Sequence, residues 1–193
     1  MTDLKAELIK EFIDSESFKH DPVNKFPLSS GVMSEFYVDC KTLMGNPIAR
    51  DKVAQYAYEK IKNLNFDCIG GLEIGAIALG TIISDFGLRV AAQNWPTFVV
   101  RKQVKGHGLK KKIEGITNKN ALIVDDVLTS GGSIIQAVDA ARESGLTVEY
   151  ALVIVDRQEQ NGKKNLEDKG VKLISLLTIK DFKTVDKLAP VFR

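Results

Sequence analysis

Residues 121–133 read ALIVDDVLTSGGS, and this stretch decides the fold. Ala121, Leu122, Ile123 and Val124 form an unbroken apolar run, the pattern of a central strand buried on both faces of a parallel sheet. Two carboxylates, Asp125 and Asp126, follow at once. In an open parallel sheet, ligands sit beyond the carboxyl ends of the strands, so these acids stand at the expected address of a site. Thr129, Ser130, Gly131, Gly132 and Ser133 then lead into a helix predicted over 133–144. Small residues let backbone N–H groups converge on one anion, and a helix N-terminus adds about half a positive charge.

Three hydroxyls, from Thr129, Ser130 and Ser133, supply further donors. The combination asks for a ligand with a phosphate at one end and vicinal hydroxyls near it, and a ribose 5-phosphate has that form. No Gly-Lys-Ser/Thr closes the loop, and G-x-G-x-x-G is absent from it, which excludes the Walker A and dinucleotide motifs.

Working outward, strands alternate with helices. Short strands are predicted over 68–71, 97–101, 121–124, 148–155 and 171–177, and helices over 77–85 and 133–144. Residues 106–115, rich in glycine and lysine, are expected to form a mobile loop, and 158–170 a polar turn region. Upstream, Leu4, Leu8, Ile9, Phe12 and Ile13 recur at helical spacing. Residues 21–33 read as loop with short strand, 36–38 as a strand, and a helix follows Pro47. The expected class is α/β, a mainly parallel, Rossmann-like sheet covered on both faces, in one domain spanning 1–193.

Composition agrees with a soluble globular chain: 44% apolar and 27% charged among 193 residues. The net charge of +2 gives no overall argument for nucleic acid or a membrane surface. Charge is asymmetric only over 101–115, where six lysines and arginines face one acid, Glu114, which suggests an anionic partner. Cys40 and Cys68 form no motif, and no stretch approaches a membrane span or a signal peptide, so a cytoplasmic location is expected. The two histidines, His20 and His107, have no metal spacing.

ALIVDDVLTSGGS resembles the 5-phosphoribosyl 1-diphosphate (PRPP) motif of type I phosphoribosyltransferases, whose fold is a Rossmann-like parallel sheet with a small hood. Three more segments resemble the orotate phosphoribosyltransferases within that group. FPLSSGVMSEFYVDCK (26–41) is similar to their N-terminal hood, with its Ser-Gly-x-x-Ser-x-x-Tyr stretch lining the base pocket. RKQVKGHG (101–108) is similar to their mobile catalytic loop, and DRQE (156–159) to the segment carrying their orotate-side arginine. The likeness runs in order from about residue 4 to residue 183, with the hood at about 1–45 plus a C-terminal part.

The resemblance implies roles by position. Arg101, Lys102, Lys105 and His107 would grip the diphosphate of PRPP. Asp125 and Asp126 would hold the ribose hydroxyls. Val127, Leu128, Thr129, Ser130, Gly131, Gly132 and Ser133 would complete the PRPP site, the last five on the 5-phosphate. Tyr37, Val38, Thr129 and Arg157 would face orotate. Lys102, Lys105, His107, Asp125 and Asp126 form the implied catalytic set. Mg²⁺ would be held through substrate and water rather than by a protein cage. A homodimer is implied, with the basic loop reaching the neighbouring site, and neither nucleic acid nor a membrane is an expected partner. Two rivals share much of this pattern: a phosphoribosyltransferase for another base, and a non-catalytic nucleic-acid-binding regulator on the same fold. The chain departs from the best-known bacterial members at two positions, having Ser29 and Gly75 where they carry PRPP-contacting lysines.

Overall fold

The apolar run at 121–124 is the middle of a longer strand. In the computed structural model, which describes residues 3–27, 31–103 and 112–183, β8 (Asn120–Leu128) continues through both acids before the chain turns. Leu122 and Val124 join a core on one face of the sheet, with Val53, Ala57, Leu79 and Ile83. Ala121 and Ile123 join a core on the other face, with Ile134, Ala137, Val138 and Ala141. Burying each large aliphatic side chain there contributes about 2 kcal/mol, which is why a run with no polar interruption occupies this position.

The strands in chain order are β1 (Phe18–His20), β2 (Phe26–Pro27), β3 (Met33–Ser34), β4 (Phe36–Val38), β5 (Cys68–Leu72), β6 (Thr97–Val100), β7 (Ile113–Gly115), β8, β9 (Thr147–Asp156) and β10 (Lys172–Thr178). The helices are α1 (Leu4–Asp14), α2 (Cys40–Gly45), α3 (Pro47–Ile61), α4 (Gly75–Ala91), α5 (Gly132–Glu143), α6 (Gly162–Glu167) and α7 (Ile179–Lys183). The main sheet has the order β10-β9-β8-β5-β6-β7. Its first five strands are parallel and β7 is an antiparallel edge. From β5 the chain moves outward to β6, and from β8 it moves the opposite way to β9 and β10. The topological switch therefore falls between β5 and β8, where a ligand crevice opens.

The α/β class and the parallel sheet stand as expected. Four local expectations change. Residues 113–115, assigned to a mobile loop, form β7 on the edge beside β6. Residues 162–167, assigned to a polar turn, form α6, anchored by the fully buried Leu166. The helix expected over 77–85 runs from Gly75 to Ala91. Residues 40–45, for which no element was expected, form α2, whose N-cap Asp39 accepts hydrogen bonds from the Lys41 and Thr42 amides at 3.0 and 3.1 Å.

The N-terminal strands pair as two small antiparallel ribbons, β1 with β4 and β2 with β3. Ring contacts join them to α7 and to each other. Phe18 stacks on Phe182 of α7 at 4.2 Å, Phe12 meets the same ring edge-on at 5.2 Å, and His20 stacks on Phe36 at 4.7 Å. A Lys5–Asp181 ion pair of 2.7 Å adds a second tie between the two ends of the described chain. Among the described residues, no helix is long and apolar enough to cross a membrane.

Candidate active site

The carboxyl ends of β5 and β8 open into a cavity of about 540 Å³. Its floor is the acid pair. Asp125 is 8% exposed, and its Oδ1 accepts from the Asp126 amide at 2.9 Å. Asp126 Oδ1 accepts in turn from the Val127 amide at 2.9 Å. Burial first, and the neighbouring Asp126 charge second, push the Asp125 carboxyl up from its ordinary 3.8 to about 7.

One wall is the loop into α5. Thr129, Ser130, Gly131, Gly132 and Ser133 all line the cavity. Gly131 caps the helix at φ +85°, a conformation that excludes most side chains. The loop is braced from behind by α6. Asn165 donates from Nδ2 to the Ser130 carbonyl at 2.8 Å, and a Cβ on Gly162 would lie 2.3 Å from the Thr129 carbonyl oxygen. Val127 lines the cavity. The Leu128 side chain does not: it is fully buried in the core, and its carbonyl accepts from the Arg157 amide at 3.0 Å.

The opposite wall comes from the N-terminal ribbons. Tyr37 and Val38 line it, with the Tyr37 hydroxyl donating to Asp39 at 3.2 Å. Arg157, at the end of β9, also lines the cavity although it is only 3% exposed. The implied base-side set, Tyr37, Val38, Thr129 and Arg157, thus surrounds one space with the acid pair.

Of the basic segment, Lys102 lines the cavity. Its backbone is fastened at both ends: the amide donates to Glu73 Oε1 at 2.9 Å and the carbonyl accepts from Gln136 Nε2 at 3.4 Å. Arg101 is turned to Glu114 of β7, with Nε 2.7 Å from Oε1. Lys105 and His107 lie outside the described residues, as does Ser29.

Sequence reasoning missed several contributors. Lys41 brings its ammonium 3.9 Å from Asp126 Oδ2 at the cavity mouth, and Cys40 beside it is a buried thiol. Burial, then the Asp126 charge, raise that thiol well above its usual range, which removes it as a nucleophile. Glu73 and Ile74, which lead into α4, and Gln160, beyond β9, line the cavity as well. Lys41 sits inside a quoted segment and its charge was the available signal. The bracing by Gly162 and Asn165 had none.

Known proteins resemble this chain. The phosphoribosyl transferase domain family matches residues 40–187. The orotate phosphoribosyltransferase of Aquifex aeolicus is 37% identical over 180 residues, covering 92% of this chain and 97% of that protein. That of Pyrococcus horikoshii is 38% identical over 182 residues, covering 92% of each. The chain belongs to the orotate phosphoribosyltransferase family. The crystal structure of the orotate phosphoribosyltransferase from Aeropyrum pernix superimposes with a TM-score of 0.76 at 30% identity, covering 94% of this chain and 97% of that one. The likeness drawn from four segments thus extends over 94% of this chain.

The raised Asp125 carboxyl gives this orotate phosphoribosyltransferase site a pH signature. A ribose hydroxyl donates best to an ionised carboxylate. With Asp125 in the ribose-holding role that the resemblance implies, kcat/KM for PRPP is expected to climb by up to about tenfold per pH unit below 7 and to level off above it. A substrate phosphate also titrates near pH 6, so Asp125→Asn supplies the control. An inflection that survives in that variant assigns the titration to the substrate. Stability runs the other way. Between about 3.8 and 7 the native state keeps a proton that the unfolded state has lost, so the fold weakens as pH rises through that window.

Proposed function

We infer that this chain transfers the 5-phosphoribosyl group of PRPP to orotate, releasing diphosphate and giving orotidine 5′-monophosphate. The observation that carries the reading is the convergence of an acid pair, a phosphate-type loop and a buried arginine on one cavity at the switch point of the sheet. The loop from Thr129 to Ser133 would hold the 5-phosphate through backbone N–H groups and hydroxyls. Asp125 and Asp126 would accept from the ribose hydroxyls. Arg157 would meet the orotate carboxylate, with Tyr37 and Val38 against the ring. Lys102, joined by Lys105 and His107 and assisted by Arg101, would stabilise charge building on the leaving diphosphate.

Bond breaking at ribose carbon 1 runs through an oxocarbenium-like transition state, so no protein nucleophile is required, and catalysis rests on fixing the two substrates and excluding water. The hard oxygens of Asp125 and Asp126 suit Mg²⁺ arriving with the diphosphate. Bound Mg²⁺ would neutralise charge on the departing group. A homodimer exchanging its basic loops is the assembly we propose. Two buried, unbridged cysteines support a reducing, cytoplasmic setting.

A spectrophotometric assay with PRPP, Mg²⁺ and a panel of bases tests the reading. Orotate is expected to be consumed, and hypoxanthine and uracil left. Consumption of hypoxanthine or uracil in place of orotate overturns the base assignment.

A further inference from the structure

The guanidinium of Arg157 is held by three hydrogen bonds. Nε donates to Glu159 Oε2 at 3.0 Å. Nη2 donates to Ser34 Oγ and to the Phe36 carbonyl, each at 2.8 Å. Ser34 Oγ in turn donates to Glu159 Oε1 at 2.7 Å, which closes a ring of three side chains. Ser34 lies 123 positions from Arg157 in sequence, so the ring also links the N-terminal ribbons to the end of β9.

An arginine has five N–H donors in a planar fork. The Nε proton and both Nη2 protons are used here, and the two that remain are on Nη1. No buried side-chain nitrogen or oxygen among the described residues lacks a partner. Since Arg157 lines the cavity and Nη1 takes part in none of these bonds, Nη1 faces that space.

We propose that Glu159 and Ser34 are positioning residues that lock Arg157 so that it offers the base only the Nη1 pair of donors. The proposal rests on the reading of Arg157 as the orotate-side arginine. Arg157 lines the cavity while Glu159 and Ser34 do not, so the acid leaves the cavity face of the guanidinium clear. It does three things at once: it compensates a buried charge, fixes the plane of the fork through Nε, and orients the Ser34 hydroxyl so that its oxygen accepts from Nη2. Without the acid, Arg157 would keep its charge and its two Nη2 partners but lose its rotational stop, and the Nη1 donors would miss the base.

The test compares Glu159→Ala, Glu159→Gln and Ser34→Ala with Arg157→Ala as the reference, reading KM for orotate and for PRPP separately along with thermal stability. Glu159→Ala is expected to raise KM for orotate about tenfold, the loss of one charge-assisted hydrogen bond, while KM for PRPP stays within about twofold. Glu159→Gln, whose amide oxygen still accepts from Nε, should recover most of the loss. Ser34→Ala should lie between them. If Arg157→Ala raises KM for orotate while the Glu159 and Ser34 variants leave it unchanged, the positioning role is wrong and the base reading stands. If Arg157→Ala also leaves it unchanged, the base reading itself fails. An equal rise in both KM values with a lowered melting temperature in Glu159→Ala, unrelieved in Glu159→Gln, makes the acid a purely structural residue and overturns the proposal.

Discussion

Replacing Gly75 with lysine, the residue that the best-known bacterial relatives carry at this point, is expected to lower kcat/KM for PRPP by about 100-fold, the penalty of displacing a binding group by roughly 1 Å. A Cβ on Gly75 would stand 2.6 Å from Asp125 Oδ1 and 2.9 Å from Asp126 Oδ1. Asp125 has little room to retreat, whereas Asp126 is 21% exposed on its side chain. Asp125 is buried at the strand end, and each Oδ1 is pinned by the amide of the residue that follows it. The substitution must therefore rotate the acids away from the ribose position or push the start of α4 off the sheet. Gly75→Ala should show most of the loss, because the first carbon makes the clash. A lysine ammonium set there would compete for the two oxygens that we propose accept from the ribose. Kinetics of both variants, with circular dichroism to confirm the fold, check this. A lysine variant that keeps the parent KM for PRPP would show that the acids can move. In this chain the space that a side chain at position 75 would need is taken by the acid pair.

What could be read from the sequence was local. The strand, acids and loop at 121–133 are contiguous, and each part signals by its own chemistry, so β8, the cavity floor and the phosphate-type loop were all legible. The missed elements lack a local signal. α6 is six residues long with Leu166 as its buried apolar anchor, too short to display a helical period. β7 is three residues of a glycine- and lysine-rich tract that becomes a strand only by pairing with β6. The extension of α4 to Ala91 includes Gly87, a poor helix former, which is there because Trp95 packs where a Cβ would stand, at 2.7 Å. The functional surprises follow the same rule. The pair Asp156–Arg157 was visible at a strand end, but which of the arginine's donors are engaged depends on Ser34 and Phe36, more than 120 positions away. Among the described residues, two of the implied PRPP set are not part of the cavity lining. Arg101 is turned to Glu114, and the Leu128 side chain is buried in the core while its carbonyl accepts from the Arg157 amide.

The ring around Arg157 makes Arg157→Ala the substitution with the widest separation of effects. KM for orotate is expected to rise about 100-fold, the loss of two hydrogen bonds to a charged group at roughly 1.5 kcal/mol each. KM for PRPP should change little, because no part of the acid pair or the loop at 129–133 hydrogen-bonds through the guanidinium. Binding of a base without a carboxylate, such as uracil, should be unaffected, so the preference for orotate over uracil in a binding assay should shrink by the same factor as the orotate loss. Stability is expected to fall too. Removing one partner of a buried ion pair costs about 3 kcal/mol, and here it also strips donors from Ser34 and the Phe36 carbonyl. The partial exposure of Glu159 lets water relieve some of that cost. The two effects are separable by temperature: well below the melting transition the variant remains folded, and the kinetic loss persists there undiminished. Orotate kinetics equal to the parent's in a folded Arg157→Ala protein would remove Arg157 from the base site and reduce the ring to a structural tie between the N-terminal ribbons and β9. A loss confined to orotate means that base selection depends on the Arg157 guanidinium, which Ser34, Phe36 and Glu159 hold in place.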